Sequence, residues 1–517
     1  MRPSRVADVT VADIATATGT EVDSGDSHIR VTGVSVNSQE VEPGDLFGAL
    51  PGLHVHGATF ATQAHERGAS AILTDPQGCA HLRASGFPDD VPVIVADAPR
   101  KAIGEAAAYT YGHPSRTLKL VGVTGTNGKT TTAYFVDAAL SQTHTHRGLL
   151  GTVELRVNDQ SVESPRTTVE APVLQSLLAR MLEVGCSVAT TEVSSHAAAL
   201  DRISGAEFEV AVFTNLQWDH LDFHGTMDQY FADKARLFQP GRARHAVVCV
   251  DDEWGQRLAR EVSIPVTTVA TRDASMDADW RVENADVGLD GVGSSFDLVH
   301  SDGTRHKAES PLPGLVNVSN AAVAIIAAHH AGVPLEQSIA GVARAHDIPG
   351  RMERVVERSE HDPLAIVDYA HTPDALTLAL EGVRPITKGR IIIIFGSDGD
   401  RDRGKRPVLG NIAARLADVI VLTDENPRSE KPADIRQQIK AGIQEIRPTL
   451  EDVHEIVPRA SAVEHGLRLG KPGDTVIVTG KGHEPTQEIA GVFHRYNDRD
   501  EFLRAHQLIV AERQEGA

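Results

Sequence analysis

Cysteine is scarce: Cys79, Cys186 and Cys249 are the only three in 517 residues, odd in number and far apart. That excludes a disulfide framework and gives no metal-ligand spacing, and it fits a reducing cytoplasm. Aromatic residues are equally sparse at 4%, so the cores must rest on Ala, Val, Leu and Ile. No apolar run reaches the length of a membrane span; the longest, Ala321–Ala328 and Ile391–Phe395, fall far short. The opening MRPSRVADVTVADIATATG lacks the apolar core of a signal peptide. Positive charge is in deficit, with 50 Lys and Arg against 71 Asp and Glu and a formal net charge of -21. A field of that sign repels nucleic acid and anionic membrane surfaces, so neither is an expected partner. Any anionic substrate must then be held by local basic groups or helix N-termini.

Apolar residues make up 41% of the chain, and its length predicts about two to four domains. Up to about Leu118, short β-like runs (Ile29–Val36, Ala71–Leu73, Val91–Val95) alternate with Ala-rich helical stretches around a loop at Pro43-Gly44-Asp45. A second region opens with the buried-strand pattern Leu118–Val123, a Gly-rich turn and a helical run from Thr130 to Leu140. Further strands are expected at Ser187–Glu192, Val210–Thr214 and Ala246–Val250. This alternation predicts a parallel sheet with helices on both faces. Asp277–Lys307 instead alternates with period two and predicts a small antiparallel insert. The pattern breaks at Pro349-Gly350, and strands at Leu364–Asp368, Arg390–Phe395, Val419–Thr423 and Thr475–Thr479 predict a second doubly wound unit. The expectation is an α/β chain of three domains, bounded at 1–117, 118–348 and 349–517.

Between strand and helix lies Thr124-Gly125-Thr126-Asn127-Gly128-Lys129-Thr130-Thr131. Glycines there let backbone N–H groups close on phosphates, and the helix N-terminus adds positive potential. Lys129 would reach the terminal phosphates and Thr130 would take a Mg²⁺ position. The usual first glycine, five residues before Gly128, is replaced by Val123.

The string TGTNGKTT resembles the variant phosphate loop of the Mur ligases and their folylpolyglutamate synthase relatives. The likeness continues in order through Thr167-Thr168, Glu192-Val193-Ser194-Ser195-His196, Thr214-Asn215-Leu216, Asp219-His220-Leu221-Asp222 and Lys234–Phe238. It extends over Gly350–Glu353, Asp368–Asp374, Gly399–Asp402, Asn426-Pro427-Arg428 and Gly480–Glu484. The resemblance implies a small α/β N-terminal domain, a central P-loop parallel-sheet ATPase domain and a C-terminal Rossmann-like domain. It implies an ATP- and Mg²⁺-dependent ligase, monomeric and cytoplasmic, that joins an amino acid to a UDP-linked muramoyl dipeptide.

The same resemblance implies roles for particular residues. Lys129, Glu192, His220 and Lys234 form the catalytic set. Thr130 and Glu192 hold one Mg²⁺, and His220 helps with a second, approached by Lys234 after CO₂ has turned it into a carbamate. Gly125 to Thr131 hold the ATP phosphates, while Asn320, Arg351 and Asp368 contact adenine and ribose between domains that close about Pro349-Gly350. Ser38, Thr167, Thr168, Ser194 and Arg202 hold the UDP precursor; a guanidinium such as that of Arg202 can grip a carboxylate through two parallel bonds. Arg401, Asn426, Arg428, Gly480 and Glu484 hold the incoming amino acid. Arg428 favours meso-diaminopimelate over L-lysine, since a buried arginine with no partner would be costly. This chain departs from the family pattern at Leu200 (usually Gln), at Asn37 and Gln39 around Ser38 (usually Asp and Arg), at Leu315-Val316 (usually Arg-Phe), and at Glu425 (usually Asp). The same reaction with L-lysine, a related ligase, or an ATP-binding regulatory homologue with an altered acceptor stays open at this point.

Overall fold

The computed structural model of the chain describes residues 1–52, 54–288 and 293–515. Two compact units emerge, one of residues 1–281 with 322–342 and one of 282–321 with 343–517.

The first unit carries two larger sheets besides a two-stranded one. The N-terminal one has the order Glu21–Ser24, Val93–Val95, Ala71–Thr74, Asp45–Gly48, Gly33–Ser35, and only the first strand runs antiparallel. The run expected as one strand at Ile29–Val36 is split at Thr32. Arg30–Val31 pairs with Val9–Thr10, whereas Gly33–Ser35 joins the main sheet. The break has a physical cause: the Thr32 N–H leaves both ladders and donates to Gly44 O at 2.9 Å.

The second sheet holds the phosphate-loop elements. Its centre is β1 (Lys119–Thr124), followed by helix α1 (Lys129–Leu140). Strand β2 (Val188–Glu192) flanks β1 on one side and precedes the short helix α2 (Ser195–Ala199); β3 (Phe208–Phe213) flanks it on the other. Helices α3 (Leu221–His224) and α4 (Met227–Ala235) follow. Ala243–Cys249 and Val266–Ala270 extend the parallel run beyond β3, and Arg147–Leu150 extends it beyond β2. These strands read as near-continuous apolar stretches because helices cover both faces. Several of the scarce aromatics, Phe208, Phe213, Tyr230, Phe231 and Phe238, share one core with Leu120, Ala189 and Leu237.

Within the segment expected as an antiparallel insert, Ser294–His300 and Arg305–Ser310 form a hairpin. Trp280–Val287 instead starts parallel to Val266–Ala270, and residues 289–292 of that segment lie outside the described residues. The second unit is built on the order Glu353–Val356, Leu364–Asp368, Thr475–Thr479, Ile391–Phe395, Val419–Leu422, Val453–Glu455, parallel except for the first strand. Fully buried Arg459 meets fully buried Asp498 through bonds of 2.8 and 2.7 Å and also donates to Thr479 O at 2.8 Å. That anchors the strand end from which Gly480 departs. Cys79, Cys186 and Cys249 are all buried free thiols. No described helix is long and apolar enough to cross a membrane.

Candidate active site

The loop between β1 and α1 is shaped from behind. Thr126 N–H donates to Asn215 O (2.9 Å), Asn127 N–H to Asn215 Oδ1 (3.0 Å), and Thr214 Oγ1 to Asn127 O (2.7 Å). Gly125 passes so close to this support that a Cβ there would stand 1.9 Å from Thr214 Oγ1. Gly128 takes φ 85°, a left-handed value that glycine adopts at no steric cost and that launches α1 at Lys129. Lys129 Nζ folds back onto Gly125 O (3.0 Å) and Thr126 O (2.8 Å). Thr131 is buried in the first turn of the helix.

Glu192, 1% exposed at the end of β2, is the acceptor around which the next shell forms. Its Oε2 accepts from Thr130 Oγ1 (3.0 Å) and Thr152 Oγ1 (3.0 Å), and its Oε1 accepts from Thr152 N–H (2.7 Å). Thr152 Oγ1 lies 3.1 Å from Thr167 Oγ1. Thr168 Oγ1 donates to Glu192 O (2.9 Å) and receives Ser194 N–H (3.0 Å). Arg202 pairs with Glu170 at 3.0 Å. The structure therefore draws Thr130, Thr167, Thr168, Glu192 and Ser194 into one network. Ser38 sits elsewhere in the same unit, donating to Gln63 Oε1 (2.8 Å) in a cavity of about 1010 Å³ that Arg67, Arg100, Arg166 and Glu170 also line.

Lys234, from α4, is buried and donates to Gly125 O at 2.7 Å, with its ammonium 4.5 Å over the Tyr230 ring. Burial, aided by the charge of Lys129 and opposed by Asp219, holds its pKa well below the ordinary lysine value. The amine is thereby biased toward the neutral form that can react with CO₂. His220 lies in the left-handed region at φ 54°, 3.2 Å from Asp219 and edge-on to His196. Partial burial, with Lys129, His196 and Lys234 acting the same way against Asp219, holds its imidazole below the usual value.

Among the described residues no three His, Cys, Asp or Glu side chains cluster as a metal site. The oxygen ligands on offer are instead the Thr130 hydroxyl and the Glu192 carboxylate, side by side at 3.0 Å. Such a set fits Mg²⁺, which takes one or two protein oxygens and fills its octahedron with phosphate oxygens and water.

In the second unit, Asp368 accepts from Met352 N–H (2.8 Å) and Ala370 N–H (2.9 Å), and the Arg351 guanidinium lies 4.4 Å over the Tyr369 ring. Asn320 donates to Asn317 Oδ1 at 3.2 Å. Asn426 and Glu484 meet at 3.1 Å, and buried Lys481 donates to both at 2.8 Å. Burial pushes the Glu484 carboxyl up, but Lys481 and Asn426 outweigh it and leave it below the ordinary value. Gly480 takes φ 109°, and a Cβ there would stand 2.6 Å from Glu425 Oε2. Arg401 is exposed.

Arg428 requires a correction. It is not an arginine lacking a counter-charge, because Asp398 stands 3.4 Å and Glu488 3.8 Å from its guanidinium. The cost of an orphaned buried arginine therefore says nothing about diaminopimelate, and specificity must be argued on other grounds. Sequence reading also missed Thr152, the second hydroxyl on Glu192, for which no motif stood as a signal. It missed Asn215 as the loop's support, although that residue falls inside a recognised block.

Residues 123–328 match the Mur ligase middle domain, 350–482 the Mur ligase glutamate ligase domain, and 30–111 the catalytic domain of the Mur ligase family. A UDP-N-acetylmuramoyl-L-alanyl-D-glutamate–2,6-diaminopimelate ligase of Streptomyces coelicolor is 44% identical over 500 residues, 96% of each chain. A UDP-N-acetylmuramyl-tripeptide synthetase of Leifsonia xyli is 41% identical over 97% of this chain and 96% of its own. A solved structure of a UDP-N-acetylmuramoyl-L-alanyl-D-glutamate–2,6-diaminopimelate ligase superposes with a TM-score of 0.68 at 32% identity, covering 97% of this chain and 99% of that one.

Two outcomes follow from this geometry. Gly125→Ala must displace the loop's support, at a strain of about 1–3 kcal/mol, and should weaken ADP binding roughly 10- to 100-fold by calorimetric titration; wild-type affinity would contradict this. Glu425 is buried, and desolvation together with the Asp398 charge pushes its carboxyl up to about 8 from 4.5. The folded state thus holds this proton more tightly than the unfolded chain. The stability it contributes is present in full below about 4.5 and is lost as pH rises through about 8. Thermal unfolding of Glu425→Gln across that range should show a flatter fall in stability than wild type, and an unchanged slope would refute the assignment.

Proposed function

The chain belongs to the Mur ligase family, and from that premise we propose that it joins 2,6-diaminopimelate to the D-glutamyl γ-carboxylate of UDP-N-acetylmuramoyl-L-alanyl-D-glutamate, with hydrolysis of ATP to ADP and phosphate. The observation that carries this reading is the joining of phosphate loop and carboxylate network, where Thr130 of the loop bonds Glu192 while Lys129 and Lys234 converge on Gly125 O. It is supported by relatives of that name that match nearly end to end.

The reaction runs in two steps. An oxygen of the γ-carboxylate attacks the γ-phosphorus of ATP, ADP leaves, and an acyl phosphate forms. The amine of the amino acid then attacks the acyl carbon, phosphate leaves with that oxygen, and the amine loses a proton. Neither step needs a protein nucleophile, so catalysis lies in alignment and charge stabilisation. Lys129 and the loop N–H groups hold the phosphates in line. Thr130 and Glu192 would hold Mg²⁺, which when bound offsets the charge of the transferring phosphoryl group. Thr167, Thr168, Ser194 and Arg202 orient the peptide end of the precursor, and the cavity around Ser38 takes its nucleotide end.

Lys234 is assigned a carbamate: its neutral amine adds to CO₂, a proton leaves, and a buried neutral amine becomes an anion beside His220. Asn320, Arg351 and Asp368 are assigned to the adenosine, and Arg401, Asn426, Arg428, Gly480 and Glu484 to the amino acid. In that assignment Arg428 exchanges its Asp398 and Glu488 pairings for the distal carboxylate of meso-diaminopimelate. The division into domains 1–117, 118–348 and 349–517, a monomeric state and a cytoplasmic location belong to the same proposal.

Phosphate release with ATP, Mg²⁺ and the precursor, comparing meso-diaminopimelate with L-lysine, tests the reading. Release with diaminopimelate alone is expected. Preference for lysine would overturn the specificity, and silence with both would overturn the ligase.

A further inference from the structure

Behind Lys234 lies a buried chain of polar groups that the reaction above does not use. His224 Nδ1 is 2.8 Å from Asp233 Oδ2, and His224 Nε2 is 2.9 Å from Ser195 Oγ. The His224 side chain is fully buried, Asp233 is 4% exposed and Ser195 2%. Three helices are tied together here: Ser195 opens α2, His224 closes α3 and Asp233 sits in α4 beside Lys234. The proton inventory follows from the partners. A carboxylate only accepts, so Nδ1 carries the hydrogen toward Asp233, and in the neutral ring Nε2 accepts from the Ser195 hydroxyl.

A hydroxyl, an imidazole and a carboxylate in this order also form the nucleophilic triad of acyl-transfer enzymes. Burial excludes that use, since no acyl group could reach Ser195 Oγ. What the chain does control is distance. At one end, Ser195 directly follows Ser194, whose Oγ caps α2 and whose N–H bonds Thr168. At the other, α4 is fastened to the phosphate loop by Lys234 on Gly125 O and by the Tyr230 hydroxyl, 3.1 Å from Thr126 Oγ1. The Tyr230 ring packs against the His224 ring with centroids 4.9 Å apart.

We propose that Asp233, His224 and Ser195 act as a positioning relay that fixes Lys234 relative to the precursor grip at Ser194 and Thr168. This inference rests on the ligase reading above. Cutting the relay at either end frees the same imidazole, so the two cuts should not add.

The test uses the full-length protein carrying Ser195→Ala, Asp233→Ala, and both together, with His224→Asn in reserve should Asp233→Ala fail to fold. Asparagine at 224 can keep the bond to Asp233 and lose the one to Ser195. Each single variant should lower kcat roughly 10- to 100-fold, in line with misplacing a reacting group by about an ångström, with KM for ATP changed less than about twofold. The double variant should fall no further than the worse single one. Wild-type kcat in the folded fraction, with the effect confined to unfolding temperature, would reduce the relay to packing and overturn the proposal. A double variant whose loss is the product of the singles would overturn it as well. A wild-type protein that releases no phosphate would defeat the ligase reading itself and the relay with it.

Discussion

Two lysines from helices far apart in sequence share one carbonyl oxygen: Lys129 Nζ and Lys234 Nζ approach Gly125 O at 3.0 and 2.7 Å. Two ammonium groups so close repel, and the buried one is disfavoured further by desolvation. Negative charge arriving beside them would relieve that repulsion. A few neighbouring side chains brace the loop and α4 around this pair. Thr214 and Asn215 brace the loop from β3, Glu192 gathers hydroxyls from Thr130 and Thr152, and α4 is fastened to both loop and α2. In a chain of net charge -21, these two lysines stand together at the phosphate loop.

The second unit shows a complementary tactic. Arg428 already has Asp398 and Glu488 beside it, and burial, aided by the Asp398 charge, pushes the Glu425 carboxyl up. The Arg428 guanidinium is thus neutralised within the unit by two carboxylates. Asp398 joins the two groups, standing beside Arg428 and raising the Glu425 carboxyl.

Much of this was legible in the sequence. The strands at Leu364–Asp368 and Thr475–Thr479 and the helix after Gly128 were found because long apolar runs and glycine placement are local signals. The phosphate loop was legible despite Val123, because strand, glycines, Lys129 and Thr130 coincide. What escaped was non-local. Ile29–Val36 reads as one strand, yet it is divided by a bond from Thr32 to Gly44 that no periodicity reveals. Thr152 has no motif, and only the folded chain brings it to Glu192. Ser195, His224 and Asp233 are spread over 39 residues of sequence, counted inclusively, and each alone reads as an ordinary polar residue. The partners of Arg428 were invisible for the same reason, and the argument built on its isolation failed.

The central claim, that the loop and the Glu192 network direct phosphoryl transfer onto a carboxylate before the amide forms, is tested most directly by isotope transfer. The precursor is labelled with ¹⁸O in both oxygens of the D-glutamyl γ-carboxylate and turned over with ATP, Mg²⁺ and diaminopimelate, and the released phosphate is examined by mass spectrometry. The account predicts phosphate that carries a single ¹⁸O, with the other retained in the new amide. Unlabelled phosphate accompanying amide formation would mean that the carboxylate is never phosphorylated and would contradict it.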